Sequence, residues 1–197
     1  MKRGLIALAA LLAVPALAHA QGSVTEVATT DDEFTPEELA SDVGVESFHW
    51  RWGAPDTVNA HNVREESKLF YSGTTEATGD FTITPSAGTF NYYCEAHGFI
   101  SSTGQPSGMA GRISVKPTAT PQGRRTLITW ATETTDTGNR YDVRQKAGSR
   151  KPKLVEEKTK EIEGAFKLKP GTKYAFQVRS LEGKKASDWS PKLKVKG

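Results

Sequence analysis

Residues 90–98 read Phe90-Asn91-Tyr92-Tyr93-Cys94-Glu95-Ala96-His97-Gly98. Cys94 is the single cysteine of the 197-residue chain, and a histidine follows it three residues later. One thiol cannot form an intramolecular disulfide, and it excludes zinc and iron–sulfur sites that need several thiolates. A thiolate and an imidazole three residues apart on one turn can nevertheless reach the same metal ion. We therefore take this stretch as the candidate centre of the protein's chemistry.

Two further metal donors lie on separate segments. His61 precedes the Cys94 stretch, and Met109 follows it. One thiolate and two imidazoles in a plane, with a weak axial thioether, form the geometry of blue-copper electron-transfer sites. Soft sulfur favours Cu(I), while imidazole also accepts Cu(II). The predicted ligands of one copper ion are His61, Cys94, His97 and Met109.

Three segments resemble the plastocyanin-like members of the cupredoxin family. They are residues 61–63, 92–98 and 109–115, which contain the donors in the order His, Cys, His, Met. The resemblance covers about residues 24–115 and implies an antiparallel Greek-key β-sandwich with copper at one end. It also implies that Asn62, beside the first histidine, ties the two ligand segments together and orients the site.

Alternatives stay open for individual ligands. Eleven residues separate His97 from Met109, more than in the shortest versions of this loop, so Gln105 could supply an axial amide oxygen instead. Taken alone, Cys94 could be a buried core thiol, which is a frequent environment for free cysteine. His49 lies between two aromatic residues on a predicted strand, and we assign it no role in metal binding.

The C-terminal part of the chain resembles a fibronectin type III domain over about residues 123–195. The resemblance is carried by Trp130, by residues 141–144 and 168–179, and by residues 187–191. It implies a second, immunoglobulin-like β-sandwich. Tyr174 would occupy the tyrosine-corner position, where its hydroxyl bonds to upstream backbone.

The predicted fold class is all-β, a Greek-key cupredoxin β-sandwich followed by a fibronectin type III β-sandwich. Alternation of apolar and polar residues indicates strands around residues 45–52, 81–84, 113–115, 127–130, 141–144 and 174–179. Thr35-Pro36-Glu37-Glu38 has the residues of a helix start, and we expect one turn there at most. The aromatic residues predicted to lie in the first core are Trp50, Trp52, Phe90, Tyr92 and Tyr93.

Residues 1–20 are predicted to be a signal peptide. Lys2 and Arg3 precede an apolar run, and Ala18-His19-Ala20 matches the small-x-small cleavage rule. We therefore expect a secreted or periplasmic protein that does not span the membrane after cleavage. The processed chain would keep three histidines, and one blue-copper site would use two of them. Multicopper oxidases and copper nitrite reductases need further histidines to bind their catalytic copper. We predict that the protein is not an enzyme.

The remaining chain divides into a plastocyanin-like domain (21–117), a linker rich in proline and small polar residues (118–123) and a fibronectin type III domain (124–197). Residues 21–117 contain 14 acidic and 5 basic residues, a net charge of −9, whereas residues 118–197 contain 9 and 19, a net charge of +10. The basic half could bind an acidic envelope polymer, or be attracted to the acidic half in a salt-dependent way. Its lysines lack the aromatic residues of a nucleic-acid platform, so we expect no nucleic-acid binding.

These features predict an exported carrier of single electrons between a redox donor and a redox acceptor. The C-terminal domain would serve as a spacer or docking module, and Phe99 and Ile100 would form an apolar rim near the copper. The alternatives are a copper-binding or delivery protein and a redox-inert interaction protein that no longer binds copper.

Overall fold

The structure, a computed structural model, describes residues 22–197, which contain β-strands, turns and irregular segments but no helix. The predicted signal peptide lies outside the described residues. The strands of the N-terminal part are β1 (Ser23–Thr29), β2 (Phe34–Thr35), β3 (Glu38–Asp42), β4 (Glu46–Trp52), β5 (Arg64–Glu65), β6 (Gly79–Ile83), β7 (Gly88–Ile100) and β8 (Pro106–Lys116). Those of the C-terminal part are β9 (Thr118–Gln122), β10 (Arg125–Thr129), β11 (Arg140–Ala147), β12 (Lys153–Thr159), β13 (Glu163–Phe166), β14 (Lys173–Glu182), β15 (Lys185–Ala186) and β16 (Leu193–Lys196). The fold is all-β, which confirms the predicted class.

The N-terminal strands form two four-stranded sheets, in the orders β2-β1-β4-β6 and β3-β8-β7-β5. In β4 the side chains of Phe48, Trp50 and Trp52 are buried, whereas those between them face outward. The two sheets therefore pack face to face as a β-sandwich. Two of the strand pairs, β1 with β4 and β3 with β8, are parallel rather than antiparallel. After β2 the chain crosses to the second sheet, where it forms β3, and it then crosses back to the first sheet to form β4. Because of this crossover, β4 runs beside β1 in the same direction.

Aromatic side chains fill the space between these two sheets. Trp50 of β4 and Tyr92 of β7 meet edge to face, with ring centroids 5.3 Å apart. Trp52 and Phe90 are buried as well, as predicted. Tyr93 differs, because it is only half-buried and has the Arg64 guanidinium 5.4 Å from its ring centroid.

The C-terminal strands form a three-stranded sheet, β13-β10-β9, and a larger sheet, β12-β11-β14-β15, in which β16 also pairs with β14. Trp130, after β10, and Val143 and Phe176 of the larger sheet are buried. The hydroxyl of Tyr174 accepts a hydrogen bond from the backbone N–H of Lys169 at 3.0 Å. This bond confirms the predicted tyrosine corner.

Two segments differ from the expectations. No helical turn forms over residues 35–38, because β2 pairs with β1 and the Glu37 carbonyl accepts the N–H of Arg112 at 2.7 Å. Tertiary pairing overrides the local helix-start pattern here. The expected linker, 118–123, contains β9, which pairs with β10 along its whole length before the chain turns at Gly123. Most of this stretch therefore belongs to the second pair of sheets.

The two halves of the chain meet mainly through hydrogen bonds of uncharged groups. Two charged groups take part as well, and both bond to backbone: the Asp136 carboxylate accepts the N–H of Thr84 at 3.0 Å, and the Lys185 ammonium donates to the Lys68 carbonyl at 2.8 Å. The N–H of Ser86 donates to Thr137 Oγ1 at 2.8 Å, and the Ser86 hydroxyl donates to the Thr137 carbonyl at 3.0 Å. Thr89 and Asp188 exchange two backbone hydrogen bonds of 3.1 and 3.0 Å. Each ion pair among residues 22–197 joins two residues of the same half. Within the described range there is also no helix that could cross a membrane.

Candidate metal centre

The hairpin of β7 and β8 carries three of the four predicted ligands. Its ladder is interrupted where residues 94–97 of β7 oppose Met109 of β8 alone. Such a bulge takes several residues of one strand out of regular pairing and redirects their side chains. Here it brings the Cys94 Sγ atom within 3.5 Å of the His97 Nδ1 atom.

The strands approach closely just beyond this bulge, and the approach requires glycine. A Cβ atom on Gly98 would lie 2.2 Å from the Met109 carbonyl oxygen, and one on Gly108 would lie 2.5 Å from that of His97. Gly108 also has a φ of +67°, which glycine adopts at least cost. The two glycines therefore allow the backbones of His97 and Met109 to lie side by side.

His61 reaches the same point from a distant part of the chain. It precedes β5 and exchanges two backbone hydrogen bonds with Glu76, of 2.9 and 3.0 Å. Its Nδ1 atom lies 3.7 Å from Cys94 Sγ and 3.2 Å from His97 Nδ1. The structure thus brings His61, Cys94 and His97 together.

The three donor atoms fit a single small cation. Separations of 3.2, 3.5 and 3.7 Å define a triangle whose corners are all about 2.0 Å from one central point, within the range of about 2.0–2.3 Å known for zinc bound by histidine and cysteine. Cys94 and His61 are fully buried, and His97 is half-buried. One thiolate with two imidazoles suits copper, and the same three atoms also suit zinc.

Met109 and Gln105 lie in different surroundings. Met109 is fully buried and stands opposite the bulge that carries two of the donors. Gln105 is exposed in the turn at the far end of the hairpin, where its backbone N–H donates to Ser101 Oγ at 3.1 Å. Of these two residues, Met109 is the better candidate for the fourth ligand, because it lies opposite the bulge.

Asn62 links the two segments that carry His61 and Cys94. Its Nδ2 atom donates to the Glu95 carboxylate at 2.8 Å and to the Gly73 carbonyl at 2.9 Å. Its Oδ1 atom accepts the backbone N–H of Glu95 at 2.8 Å. Because Asn62 follows His61 and Glu95 follows Cys94, these bonds hold the two ligands in a fixed relation.

The Glu95 carboxylate is the centre of a network that the sequence did not indicate. It accepts hydrogen bonds from Asn62, from the Tyr71 hydroxyl at 3.0 Å and from the Arg64 guanidinium. Partial burial raises the pKa of Glu95, but the donors Arg64, Asn62 and Tyr71 hold that pKa below its usual value overall. In the sequence, the position of Glu95 directly after Cys94 is the one local feature that relates it to the site.

Asp31, in the turn between β1 and β2, is a second residue that the sequence did not indicate. Its Oδ1 atom lies 3.1 Å from the Nε2 atom of His61. The backbone N–H of Asn59, together with His61 and Val58, lowers the pKa of Asp31 despite some desolvation. Asp31 and His61 are 30 residues apart, so no spacing rule could have paired them.

His49 lies outside this cluster, on the outer face of β4. Its Nδ1 atom is 2.8 Å from Glu26, and its Nε2 atom is 3.1 Å from Asp80. The hydrogen bond to Glu26, and more weakly that to Asp80, raises the pKa of His49 despite partial desolvation. His49 is therefore a surface residue bonded between two carboxylates.

The residues between His97 and Met109 extend the hairpin beyond the cluster. Phe99 pairs with Ser107 and Ile100 with Pro106, and a turn over residues 101–105 closes the hairpin. Phe99 is 57% exposed. The stretch between His97 and Met109 is thus an ordered hairpin arm, and it carries an exposed aromatic side chain two residues after His97.

Comparison with known proteins finds distant structural similarities and no match in sequence. No protein-family model matches the chain, and no curated protein is significantly similar in sequence. Among solved structures, a two-domain fibronectin type III segment of chicken tenascin is 12% identical, with 70% of this chain and 83% of that chain covered and a TM-score of 0.36. The FN1–FN3 domains of chicken CNTN1 are 14% identical (89% and 68% covered, TM-score 0.34), and a myokine is 17% identical (42% and 92% covered, TM-score 0.35). At these identities and TM-scores the similarities carry no argument about this chain.

Proposed function

We propose that the protein is a type 1 copper protein of the cupredoxin family that carries single electrons between a donor and an acceptor protein. The observation that supports this proposal is the buried triangle of His61 Nδ1, Cys94 Sγ and His97 Nδ1, with Met109 opposite the bulge. One thiolate, two imidazoles and one thioether are the donor set of blue-copper electron carriers.

Copper, when bound, would supply one-electron chemistry by alternating between Cu(I) and Cu(II). The residues around the ligands would keep them in the same arrangement in both oxidation states of the metal. Asn62 joins the His61 and Cys94 segments, and the glycines beside the bulge position His97 and Met109. Ligands that are held in place need little rearrangement when an electron arrives, which favours fast electron exchange.

Electron exchange with a partner protein would take place at His97. Among the three donors of the triangle, His97 is the one with partial solvent exposure, and the exposed Phe99 lies on the adjacent hairpin arm. A partner that docks on this end of the molecule would come within reach of His97. The donor and acceptor would be redox proteins of the same extracytoplasmic compartment, if the predicted signal peptide directs export.

Titration of the full processed chain with Cu(II) tests the proposal. We expect one equivalent to produce an intense thiolate-to-copper charge-transfer band in the visible spectrum, because Cys94 is the one thiolate of the chain. Cys94→Ser should abolish the band. His49→Ala should leave it unchanged, because His49 lies on the outer face of β4 away from the cluster.

The alternative functions give different results in the same experiment. A copper storage or delivery protein would bind copper without the blue colour or without reversible one-electron exchange in voltammetry. A redox-inert interaction protein would bind no copper at all. A band that survives Cys94→Ser would contradict the proposed ligand set.

We assign the second sandwich the role of a spacer or docking module. Its net positive charge would suit an acidic envelope polymer as a partner. Retention of the full chain on an anionic polysaccharide resin, and its release by salt, would support such a partner.

A further inference from the structure

We propose that Asp31 is a positioning residue, which fixes the buried His61 ring with its proton on Nε2 and so presents the Nδ1 lone pair to the metal centre. The inference rests on the proposed function to the extent that the centre binds a metal ion. The arrangement of the histidine itself exists in the metal-free protein, and it can be tested there.

The protonation follows from the hydrogen bond. The Asp31 Oδ1 atom and the His61 Nε2 atom are 3.1 Å apart, and the His61 ring is fully buried. An ionised carboxylate accepts hydrogen bonds and cannot donate one, so Nε2 must carry the proton. In a neutral imidazole the other nitrogen then has a free lone pair. That nitrogen, Nδ1, is the atom that faces Cys94 and His97.

Asp31 is itself held in position from two sides. Its carboxylate accepts the backbone N–H groups of Val58 at 3.0 Å and Asn59 at 2.9 Å, both in the loop that leads to His61. The turn that carries Asp31 is closed by a hydrogen bond from the Thr30 N–H to the Glu33 carbonyl at 3.0 Å. Asp31 therefore fixes both the ring of His61 and the loop before it.

Two consequences follow for metal binding. A ligand ring that already has the required tautomer and orientation does not have to be ordered by the metal, and loss of such an outer partner typically lowers metal affinity about 10–100-fold. A carboxylate on the far nitrogen also makes the imidazole a stronger donor, which favours Cu(II) over Cu(I). Asp31 should therefore raise copper affinity and lower the reduction potential.

The first experiment uses the metal-free full chain and nitrogen-15 NMR of the histidine rings. We expect His61 to be the Nε2–H tautomer in the wild type and in the control Asp32→Asn, which removes an exposed neighbouring carboxylate. Asp31→Ala should give a mixture of tautomers. Observation of the Nδ1–H tautomer in the wild type, or of no change in Asp31→Ala, would overturn the proposal.

The second experiment compares Asp31→Asn with Asp32→Asn in the copper-loaded chain. Both remove one unit of charge, but Asp31→Asn alone acts on the His61 hydrogen bond while keeping an oxygen acceptor for Val58 and Asn59. We expect a higher reduction potential for Asp31→Asn alone and a 10–100-fold lower copper affinity for Asp31→Ala. Equal potentials in the two Asn variants would contradict the role of Asp31. If no variant binds copper, the proposed function fails, while the tautomer measurement still decides the role of Asp31.

Discussion

Met109 is the residue through which the site would control its reduction potential. Its fully buried side chain stands opposite the bulge, and a weak axial thioether stabilises Cu(I) relative to stronger oxygen donors. We expect Met109→Gln to lower the reduction potential with the colour retained, and Met109→Leu to raise it. Voltammetry of the copper-loaded variants measures both shifts.

Gln105 is the internal control for this assignment. It lies exposed in the hairpin turn, so Gln105→Ala should leave the potential where it is. A potential that responds to Gln105→Ala and not to the Met109 variants would show that the axial ligand was assigned incorrectly.

Glu65 makes the stability of the fold depend on pH. Its side chain is buried, accepts the N–H of Leu69 at 2.9 Å, and has its pKa raised by burial from 4.5 to about 7. A carboxyl whose folded-state pKa is raised contributes its full stabilisation below the unfolded-state pKa and loses it as pH rises through the folded-state pKa. We therefore expect the free energy of unfolding to fall between pH 5 and pH 8, by at most about 3 kcal/mol from this residue.

Glu65→Gln isolates this effect, because it keeps an oxygen acceptor for Leu69 and removes the titration. Its unfolding free energy, measured by urea denaturation, should decline less than that of the wild type between pH 5 and pH 8. The exposed Glu157→Gln is the control and should follow the wild type. Identical pH profiles for all three proteins would exclude Glu65 as the cause.

At the scale of the elements, the β7–β8 hairpin carries Cys94, His97 and Met109 of the proposed metal centre. Gly98→Ala would place a methyl group 2.2 Å from the Met109 carbonyl oxygen and force the two strands apart at the ligands. We expect a loss of about 1–3 kcal/mol in unfolding free energy, together with a weakened or altered charge-transfer band.

Gly104→Ala is the matched control on the same hairpin. Gly104 has a φ of +73°, but the space around it is open, so its methyl group would meet no neighbouring atom. This substitution should cost about 1 kcal/mol in backbone conformation and leave the copper spectrum unchanged. Equal spectra for the two variants would show that strand separation at Gly98 does not govern the site.

At the scale of the whole molecule, β7 connects the contact between the two halves to the metal centre. One part of the contact lies beside the first residues of β7, around Ser86 and Thr89, and Cys94 follows in the same strand. A second part lies at Ser67 and Lys68, which bond to Ala186 and Lys185. At about 3.3 Å per residue, the stretch of β7 from Thr89 to Cys94 spans about 17 Å. With the second sandwich in place His97 keeps partial solvent exposure and Phe99 is 57% exposed, so this end of the first sandwich is accessible to a partner.

The net charges of −9 and +10 predict a salt-dependent attraction between the halves, but the contact has a different chemistry. Ser86, Thr137 and Ser180 form a buried cluster of hydroxyl groups, and no described ion pair crosses the contact. The charged groups that bond across the contact, Asp136 and Lys185, have backbone partners on Thr84 and Lys68, so the contact contains no attraction between opposite charges for salt to screen. We expect the radius of gyration in small-angle X-ray scattering to stay constant when the Debye length falls from about 30 Å at 0.01 M salt to about 10 Å at 0.1 M. A radius that grows with salt would show that charge attraction holds the halves together.

Local sequence was sufficient for the features that depend on neighbours in the chain. The tyrosine-corner position of Tyr174 followed from the resemblance to fibronectin type III domains. The three-residue spacing of Cys94 and His97 and the alternation within the strands are properties of the sequence itself. Each of them depends on backbone periodicity or short-range geometry, which a single segment carries with it.

Tertiary structure decided which distant residues meet. Asp31 reaches His61 across 30 residues, and Ser86 reaches Thr137 across 51. Such pairs depend on the register of strands and on the packing of two sheets, and these emerge from the summed interactions of the whole chain. Residues 118–122 show the same limit, because their small polar side chains are typical of a linker while their backbone hydrogen bonds to β10 make them a strand. Backbone pairing depends on a partner strand rather than on the side chains of the segment itself, and so a single segment could not reveal it.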